Sequence, residues 1–116
     1  EYLNSRGIAP ESLGSFARLA FNMHGHVPVE EWRDIMHQIV HVHAKFYDID
    51  ENGDEPAIDY PALVKVFVDE GWSGYWSSEW EGHAFLDLDE ADPLDLVRKQ
   101  HDLIRRSIRA ALDDNS

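Results

Sequence analysis

Side chains suited to metal binding and acid–base chemistry are concentrated in two apolar segments of this chain. The segments are IVHVHAKF at positions 39–46 and GYWSSEWEG at positions 74–82. Successive residues of a β-strand point to opposite faces, so a strand in each segment would gather its polar groups on one side. Imidazole and carboxylate groups are accepted ligands of divalent metals. The pattern therefore predicts two strands that bring histidine and carboxylate side chains together, the candidates being His41, His43, Glu79 and Glu81, with Lys45 on the same face.

The elements around these segments follow from apolar spacing and from capping residues. Helical spacing predicts a helix over Ser12 to Met23 and a second helix whose first turn contains Pro28 and whose apolar positions run from Trp32 to Ile39. Asp59 is a good N-cap for a helix that Gly71 would end, with apolar positions at Tyr60, Leu63, Val64, Phe67 and Val68. Asp92 and Pro93 open a last amphipathic helix that reaches about Leu112 and covers a neighbouring surface through Val97, Ile104, Ile108 and Ala111.

The order strand, helix, strand predicts a βαβ unit with parallel strands. One face of the first strand would be apolar through Val40, Val42, Ala44 and Phe46. A closed barrel of parallel strands takes about 250 residues, and only two convincing strands occur here, so this chain cannot close one. Each strand would be left with an unpaired edge, which predicts that further strands pair with it.

Composition restricts the classes of function. The chain has 116 residues, of which 43% are hydrophobic and 11% aromatic, and this suits one globular domain. A net charge of -13 disfavours nucleic acids and anionic membranes as partners. No apolar run is long enough to span a bilayer. The absence of cysteine excludes disulfides and fits the cytoplasm. Because the chain begins at Glu1 rather than at a methionine, we expect an upstream portion.

The two segments together resemble a known family. IVHVHAKF, an acidic loop and AIDYPALVKVFVDEGWSGYWSSEWEG are similar to the last quarter of the xylose-isomerase-like TIM barrels, the sugar isomerase and epimerase superfamily. The resemblance covers Trp32 to Gly82. It implies that residues 1–116 are an α/β fold, the carboxy-terminal portion of a (β/α)8 barrel with about two parallel strands, flanking helices and the remainder of the barrel missing.

The resemblance also implies a metal site. Members bind one divalent metal, commonly manganese, magnesium or cobalt, through Glu, Asp, His and Glu at the carboxyl ends of strands. His43 matches the histidine and Glu79 the closing glutamate, whereas the other two ligands have no counterpart. Manganese is the expected ion. Lys45 is then expected to act in catalysis as a cation or acid–base group, and His41, Glu81 and His83 are expected to contact substrate.

Two branches of the family share particular features with this chain. The His-x-Lys arrangement at His43 and Lys45 is similar to the inosose dehydratases. HAKFYDID and SEWEGHAF are similar to the large subunits of C-glycoside deglycosidases, which cleave oxidised C-glycosides. Ketose 3-epimerases carry an arginine where this chain has Ile49. The resemblance implies an isomerase, epimerase or lyase that removes a proton next to a carbonyl polarised by the metal.

The expected substrates of such an enzyme are sugars, inositols or glycosides. The chain should be inactive without the rest of the barrel or another chain, and an oligomer is a further expectation. For several residues the polar face has a simpler interpretation. His41 would be a structural group behind the ligands, Lys45 would pair with a nearby carboxylate, and Glu81 would be solvated.

A calcium-binding module is the alternative from another class. Asp48, Asp50, Asn52 and Gly53 match the first half of an EF-hand loop, and Asp59 stands where its last ligand would be. Glu55 occupies the position of a branched aliphatic residue, and the closing residue is Asp rather than Glu. The residues before the loop favour a strand over the entering helix of an EF-hand.

Overall fold

Two parallel strands with helices on one side form the described part of the chain. The computed structural model describes residues 27–84 and 91–116, so the predicted helix Ser12 to Met23 lies outside the described residues. The elements, in order, are a 3-10 helix Val29–Gln38, strand β1 Val42–Phe46, helix α1 Tyr60–Asp69, strand β2 Trp76–Trp80, a 3-10 turn Gly82–Ala84, and helix α2 Pro93–Asp114.

The sheet confirms the predicted βαβ unit. β1 and β2 are parallel and pair in a register that places His43 opposite Ser77 and Lys45 opposite Glu79. α1 connects them, as the sequence pattern requires for parallel strands. Among residues 27–84 and 91–116 the sheet contains these two strands alone.

The ends of α1 and α2 are set by local hydrogen bonds. The Asp59 side chain accepts a hydrogen bond of 3.0 Å from the backbone N–H of Ala62. Gly71 follows α1 with φ +65, a left-handed conformation that glycine adopts without steric cost. The Asp92 side chain accepts from the N–H groups of Leu94 and Asp95. α2 continues to Asp114, two residues beyond the predicted end.

The core lies between the sheet and the two helices. One cluster joins the apolar side of β1 to both helices, and Trp76 and Trp80 of β2 pack against it. Its buried members are Ala44, Phe46, Ile49, Tyr60, Val64, Leu96, Leu103 and Ile104. Phe46 and Val64 are fully buried. A second cluster of Met36, Val66 and Phe67 packs against Trp72 and Trp76 at the amino-terminal end of the sheet. The polar face of the sheet therefore remains uncovered by the described helices.

β1 begins later than predicted. The β-branched run from Ile39 predicted a strand from that residue, yet the strand starts at Val42. The N–H of Ile39 donates to the carbonyl of Met36, and its own carbonyl accepts from Trp72 Nε1 at 2.7 Å. The Ile39 N–H is thus bonded to the 3-10 helix and the Ile39 carbonyl to Trp72, so neither group pairs with β2. As a result, Val40 is 86% exposed and does not extend the apolar face.

The helix before β1 is also different from the prediction. It forms as a 3-10 helix over Val29–Gln38, with Pro28 immediately before its first residue. Only Met36 of this helix is buried, while Trp32 and Ile35 are 37% and 46% exposed. Arg33 holds it to the end of α1 through ion pairs with Asp69 at 3.0 Å and Glu70 at 2.9 Å.

Asp69 connects three elements. Its carboxylate accepts from Arg33 of the 3-10 helix, from Lys65 of α1 and from Asn115 after α2. The hydrogen bonds from Asn115, Arg33 and Lys65 lower the pKa of Asp69 from 3.8 to about 2. The ionised carboxylate is therefore the form that the fold stabilises.

Acid should remove this stabilisation within a defined window. A carboxyl group whose folded-state pKa is depressed contributes fully above its unfolded pKa and loses the contribution as pH falls through the folded value. In the wild type, the urea midpoint should fall as the pH drops from about 4 to about 2. We expect this fall to be smaller in Asp69→Asn, which has no carboxylate to protonate at this position. Asp34→Asn, which removes an exposed carboxylate of the 3-10 helix, is the control. Equal slopes for the wild type and both variants would contradict the assignment.

Candidate active site on the polar face of the sheet

The polar face of the sheet carries three side-chain pairs between the strands. We define the polar face by His41, His43 and Lys45 on the first segment and Ser77, Glu79 and Glu81 on the second. His41 pairs with Ser77, His43 with Glu79, and Lys45 with Glu81. His43 and Lys45 thus contact a side chain one pleat beyond their backbone partners, because side chains in strands lean along the strand direction. The predicted convergence of imidazole and carboxylate groups is present.

His43 and Glu79 have a separation suited to one shared metal ion. His43 Nδ1 lies 3.3 Å from Glu79 Oε2. Two ligand atoms, each about 2.1 Å from an ion and at adjacent coordination positions, lie roughly 3.0 to 3.4 Å apart. The side chains are exposed by 72% and 41%, so an ion could reach them from the open side. Across residues 27–84 and 91–116, no group of three or more such side chains could hold a metal.

Lys45 is paired with Glu81 at the carboxyl end of the strands. Its Nζ donates to Glu81 Oε1 at 2.6 Å. This hydrogen bond raises the pKa of Lys45. The ammonium group is therefore charged at neutral pH, and in this geometry it offers a cation rather than a base. One interpretation of the sequence made Glu81 a solvated residue at the strand end. In the structure its carboxylate instead holds the Lys45 ammonium in place.

His41 lies at the amino-terminal end of the polar face. Its Nε2 is 2.8 Å from Ser77 Oγ, and its ring meets that of His43 edge-on with centroids 5.4 Å apart. His41 therefore contacts the ring of the candidate ligand His43 rather than joining the His43–Glu79 pair. Ser77 was not predicted as a site residue, although the alternation that selected Glu79 places it on the same face.

His83 sits just beyond β2. It belongs to the 3-10 turn Gly82–Ala84, and its ring meets that of Trp80 edge-on with centroids 5.8 Å apart. Trp80 in turn donates from Nε1 to the carbonyl of Tyr47 at 2.9 Å. A Cβ at Gly82 would collide with that carbonyl and with the Trp80 ring, so only glycine fits there. His83 is thus held at the carboxyl end of the sheet, next to the loop that follows β1.

The acidic loop 47–59 is closed by its own hydrogen bonds. The buried Glu55 carboxylate accepts from the N–H groups of Tyr47, Ala57 and Ile58. Asp50 accepts from the N–H groups of Asn52 and Asp54, and the bond from Asp54 is the main cause of its lowered pKa. Arg106 of α2 donates to the Gly53 carbonyl at 2.7 Å and to Asp54.

This loop does not have the architecture of an EF-hand. Strand β1 precedes it, where an EF-hand has an entering helix. Asp50 and Asp59 each accept hydrogen bonds from backbone N–H groups, and Asp59 caps α1. No observation on the described residues therefore favours the calcium-binding alternative.

No helix within the described ranges 27–84 and 91–116 is long and apolar enough to cross a membrane.

Comparison with known proteins connects the chain to one group of enzymes. It is 66% identical over 113 residues to a C-glycoside deglycosidase alpha subunit of Arthrobacter globiformis, a match that covers 97% of this chain and 32% of the relative. It is 48% identical over 87 residues to the 3'-dehydrocarminate deglycosidase alpha subunit of a Microbacterium species, covering 75% of this chain and 24% of the relative. A second Arthrobacter globiformis C-glycoside deglycosidase alpha subunit is 37% identical over 108 residues, a match that covers 93% of this chain and 29% of the relative.

The chain spans about a third or less of the length of these curated relatives. No protein-family model matches it. The sequence resembles inosose dehydratases and C-glycoside deglycosidases. The three relatives are all named as deglycosidase subunits. The homologues of this chain are thus subunits of carbohydrate-related enzymes.

Proposed function

We propose that this chain is the carboxy-terminal part of a metal-dependent C-glycoside deglycosidase alpha subunit with a TIM-barrel fold. The observation that carries the proposal is the similarity to the Arthrobacter globiformis relative across 97% of the chain, which includes both strands and α2. The described βαβ unit supports the barrel because its helices cover one face of the sheet and its polar groups occupy the other. Residues 1–116 would supply the last strands and helices of that barrel.

In this proposal the rest of the barrel completes both the sheet and the site. A two-stranded sheet is marginal by itself, and each strand has one edge without a partner among the described residues. Upstream strands of the same polypeptide, or another chain, would pair with these edges and turn the polar face inward. The lack of cysteine suits an enzyme of the reducing cytoplasm.

His43 and Glu79 would hold the divalent metal, with manganese preferred and magnesium or cobalt as alternatives. Their separation and their donor types fit such an ion. The remaining ligands would come from outside the described residues, where carboxylates on earlier strands are expected. When bound, the metal supplies Lewis-acid polarisation of the sugar carbonyl, which makes the adjacent C–H acidic.

The chain's own residues would then act on the substrate. Lys45, held by Glu81, would stabilise the negative charge that develops on the sugar oxygen. His41 and Ser77, which bond to each other, would contact sugar hydroxyls. His83, at the carboxyl end of β2, would contact the substrate from the last βα loop, where barrel enzymes bind their ligands. After the proton leaves the carbon between the carbonyl and the anomeric carbon, the bond from the anomeric carbon to the aglycone would break as a carbon–carbon double bond forms in the sugar. The aglycone carbon would take up a proton.

Aglycone release from an oxidised C-glycoside tests this function. The complete polypeptide that contains this chain, with any subunit that copurifies, is incubated with a 3-oxo C-glucoside. We expect release of the aglycone that stops with a chelator and returns on addition of Mn²⁺.

The parent C-glucoside, which lacks the keto group, is the control and should stay intact. Release that continues at the full rate after chelation would refute the metal role. Interconversion of free ketoses without aglycone release would instead favour the isomerase and epimerase activities of the superfamily.

A further inference from the structure

A buried phenol and a buried amide meet directly behind β1. Tyr60 of α1 and Gln100 of α2 are 1% and 0% exposed. Gln100 Nε2 donates to Tyr60 Oη at 2.7 Å and to the Ala44 carbonyl at 2.9 Å. Tyr60 Oη donates to the Lys45 carbonyl at 2.6 Å. The two helices thus contact two successive peptide groups of β1 through polar bonds.

These two peptide groups flank the Cα of Lys45, one on each side. Ala44 precedes Lys45, and its own side chain points into the core. The direction of a side chain follows from the peptide planes that flank its Cα. The bonds from Gln100 and Tyr60 therefore limit how the Lys45 side chain rotates and leans toward Glu81 on the opposite face.

The polar pair is an unusual choice for this part of the core. Its neighbours Phe46, Val64 and Leu103 are apolar, and an apolar pair of similar volume would need no hydrogen bonds. Gln100 Oε1 is buried and has no partner among the described residues. An amide that leaves one of its atoms unsatisfied is poorly explained by core stability alone. The two hydrogen bonds that Gln100 Nε2 donates go to the Ala44 carbonyl of β1 and to Tyr60 Oη, which itself bonds to β1.

The Tyr60 hydroxyl remains a donor over the working pH range. Burial raises its pKa above that of an exposed tyrosine. A protonated hydroxyl can accept from Gln100 and still donate to the Lys45 carbonyl. The contact geometry thus forms a chain of bonds in one direction, from α2 through α1 to β1.

We propose that Tyr60 and Gln100 are positioning residues of the polar face, which fix the backbone on both sides of Lys45 and thereby orient Lys45 toward Glu81. The role of the oriented lysine toward a substrate rests on the proposed function. The positioning itself concerns only residues of this chain.

The experiment compares Tyr60→Phe and Gln100→Leu with Ser107→Ala in the complete polypeptide. Ser107 is a matched control because it is buried on the same helix as Gln100 but donates only to the Leu103 carbonyl of that helix. Two readouts are used: NMR of isotope-labelled lysine, which reports the Lys45 ammonium and its contact with Glu81, and NMR of isotope-labelled histidine, which reports the His43 ring and its contact with Glu79.

For Tyr60→Phe and Gln100→Leu we expect the fixed Lys45–Glu81 contact to average out, whereas the His43 signals should change less because neither residue contacts the peptide groups that flank His43. Ser107→Ala should change neither readout, even if its urea midpoint falls as far. Wild-type Lys45 signals in both test variants would overturn the positioning role. Because neither readout uses a metal or a substrate, the result decides the positioning whether or not the proposed function holds.

Discussion

Replacing His43 by Ala, or Glu79 by Gln, should weaken Mn²⁺ binding by the complete polypeptide roughly a hundredfold or more. Removing a group that merely supports a metal ligand lowers the affinity by about 10- to 100-fold. Removing a ligand itself should therefore lower the affinity at least as much. Glu79→Gln keeps the volume of the side chain but removes the charge that attracts the cation. The 3.3 Å between His43 Nδ1 and Glu79 Oε2 predicts that both variants lose the same single site. Titration calorimetry, or the electron paramagnetic resonance signal of free Mn²⁺, measures it.

Glu81→Gln is the control for a simple charge effect. It removes a carboxylate from the same polar face, two residues along, but one whose partner is Lys45. If Mn²⁺ only responds to the negative charge of this face, Glu81→Gln will weaken binding as much as Glu79→Gln does. We expect less than about a tenfold effect, because the Glu81 charge is paired with Lys45 and lies farther than Glu79 from an ion on His43. A tight stoichiometric site in both His43→Ala and Glu79→Gln would refute the proposed ligands.

The alternation of residues was sufficient to predict which side chains share a face. It placed His41, His43 and Lys45 together, and it selected the Ala44 and Phe46 side as the core. The cap at Asp59 and the stop at Gly71 were also correct, since both depend on contacts within a few residues. Local chemistry determines these features, so a single sequence contains enough information for them.

Features that depend on distant residues were missed. The start of β1 at Val42 reflects the bond from Trp72, which is 33 residues from Ile39 in sequence. An ion pair of Lys45 with a nearby carboxylate was one of its two predicted roles, but the choice of Glu81 depends on the strand register. Alternation does not determine the register, because a shift by two residues leaves every side chain on the same face. Gln100 falls on the buried stripe of α2, between Leu96 and Leu103, and a polar residue at such a position was the available signal for its contact with β1.

Replacing Phe46 by Ala should have the largest effect on stability of any single change in the described core. Phe46 is 0% exposed and packs in the cluster that joins β1 to both helices. Loss of a buried phenylalanine side chain costs about 3–5 kcal/mol, because its apolar surface and its contacts are lost and a cavity remains. Urea unfolding of the complete polypeptide measures the change. Leu94→Ala is the control, since Leu94 is 68% exposed on α2 and should change the free energy of unfolding by no more than about 0.5 kcal/mol.

The same variant separates stability from the site. Phe46 points into the core and away from the polar face, so the molecules that remain folded should bind Mn²⁺ with nearly wild-type affinity. His43→Ala should show the opposite pattern, with a small change in unfolding and a large loss of affinity, because its side chain is exposed. If Phe46→Ala lost affinity as strongly as His43→Ala while still folded, the packing under β1 would itself set the geometry of the ligands.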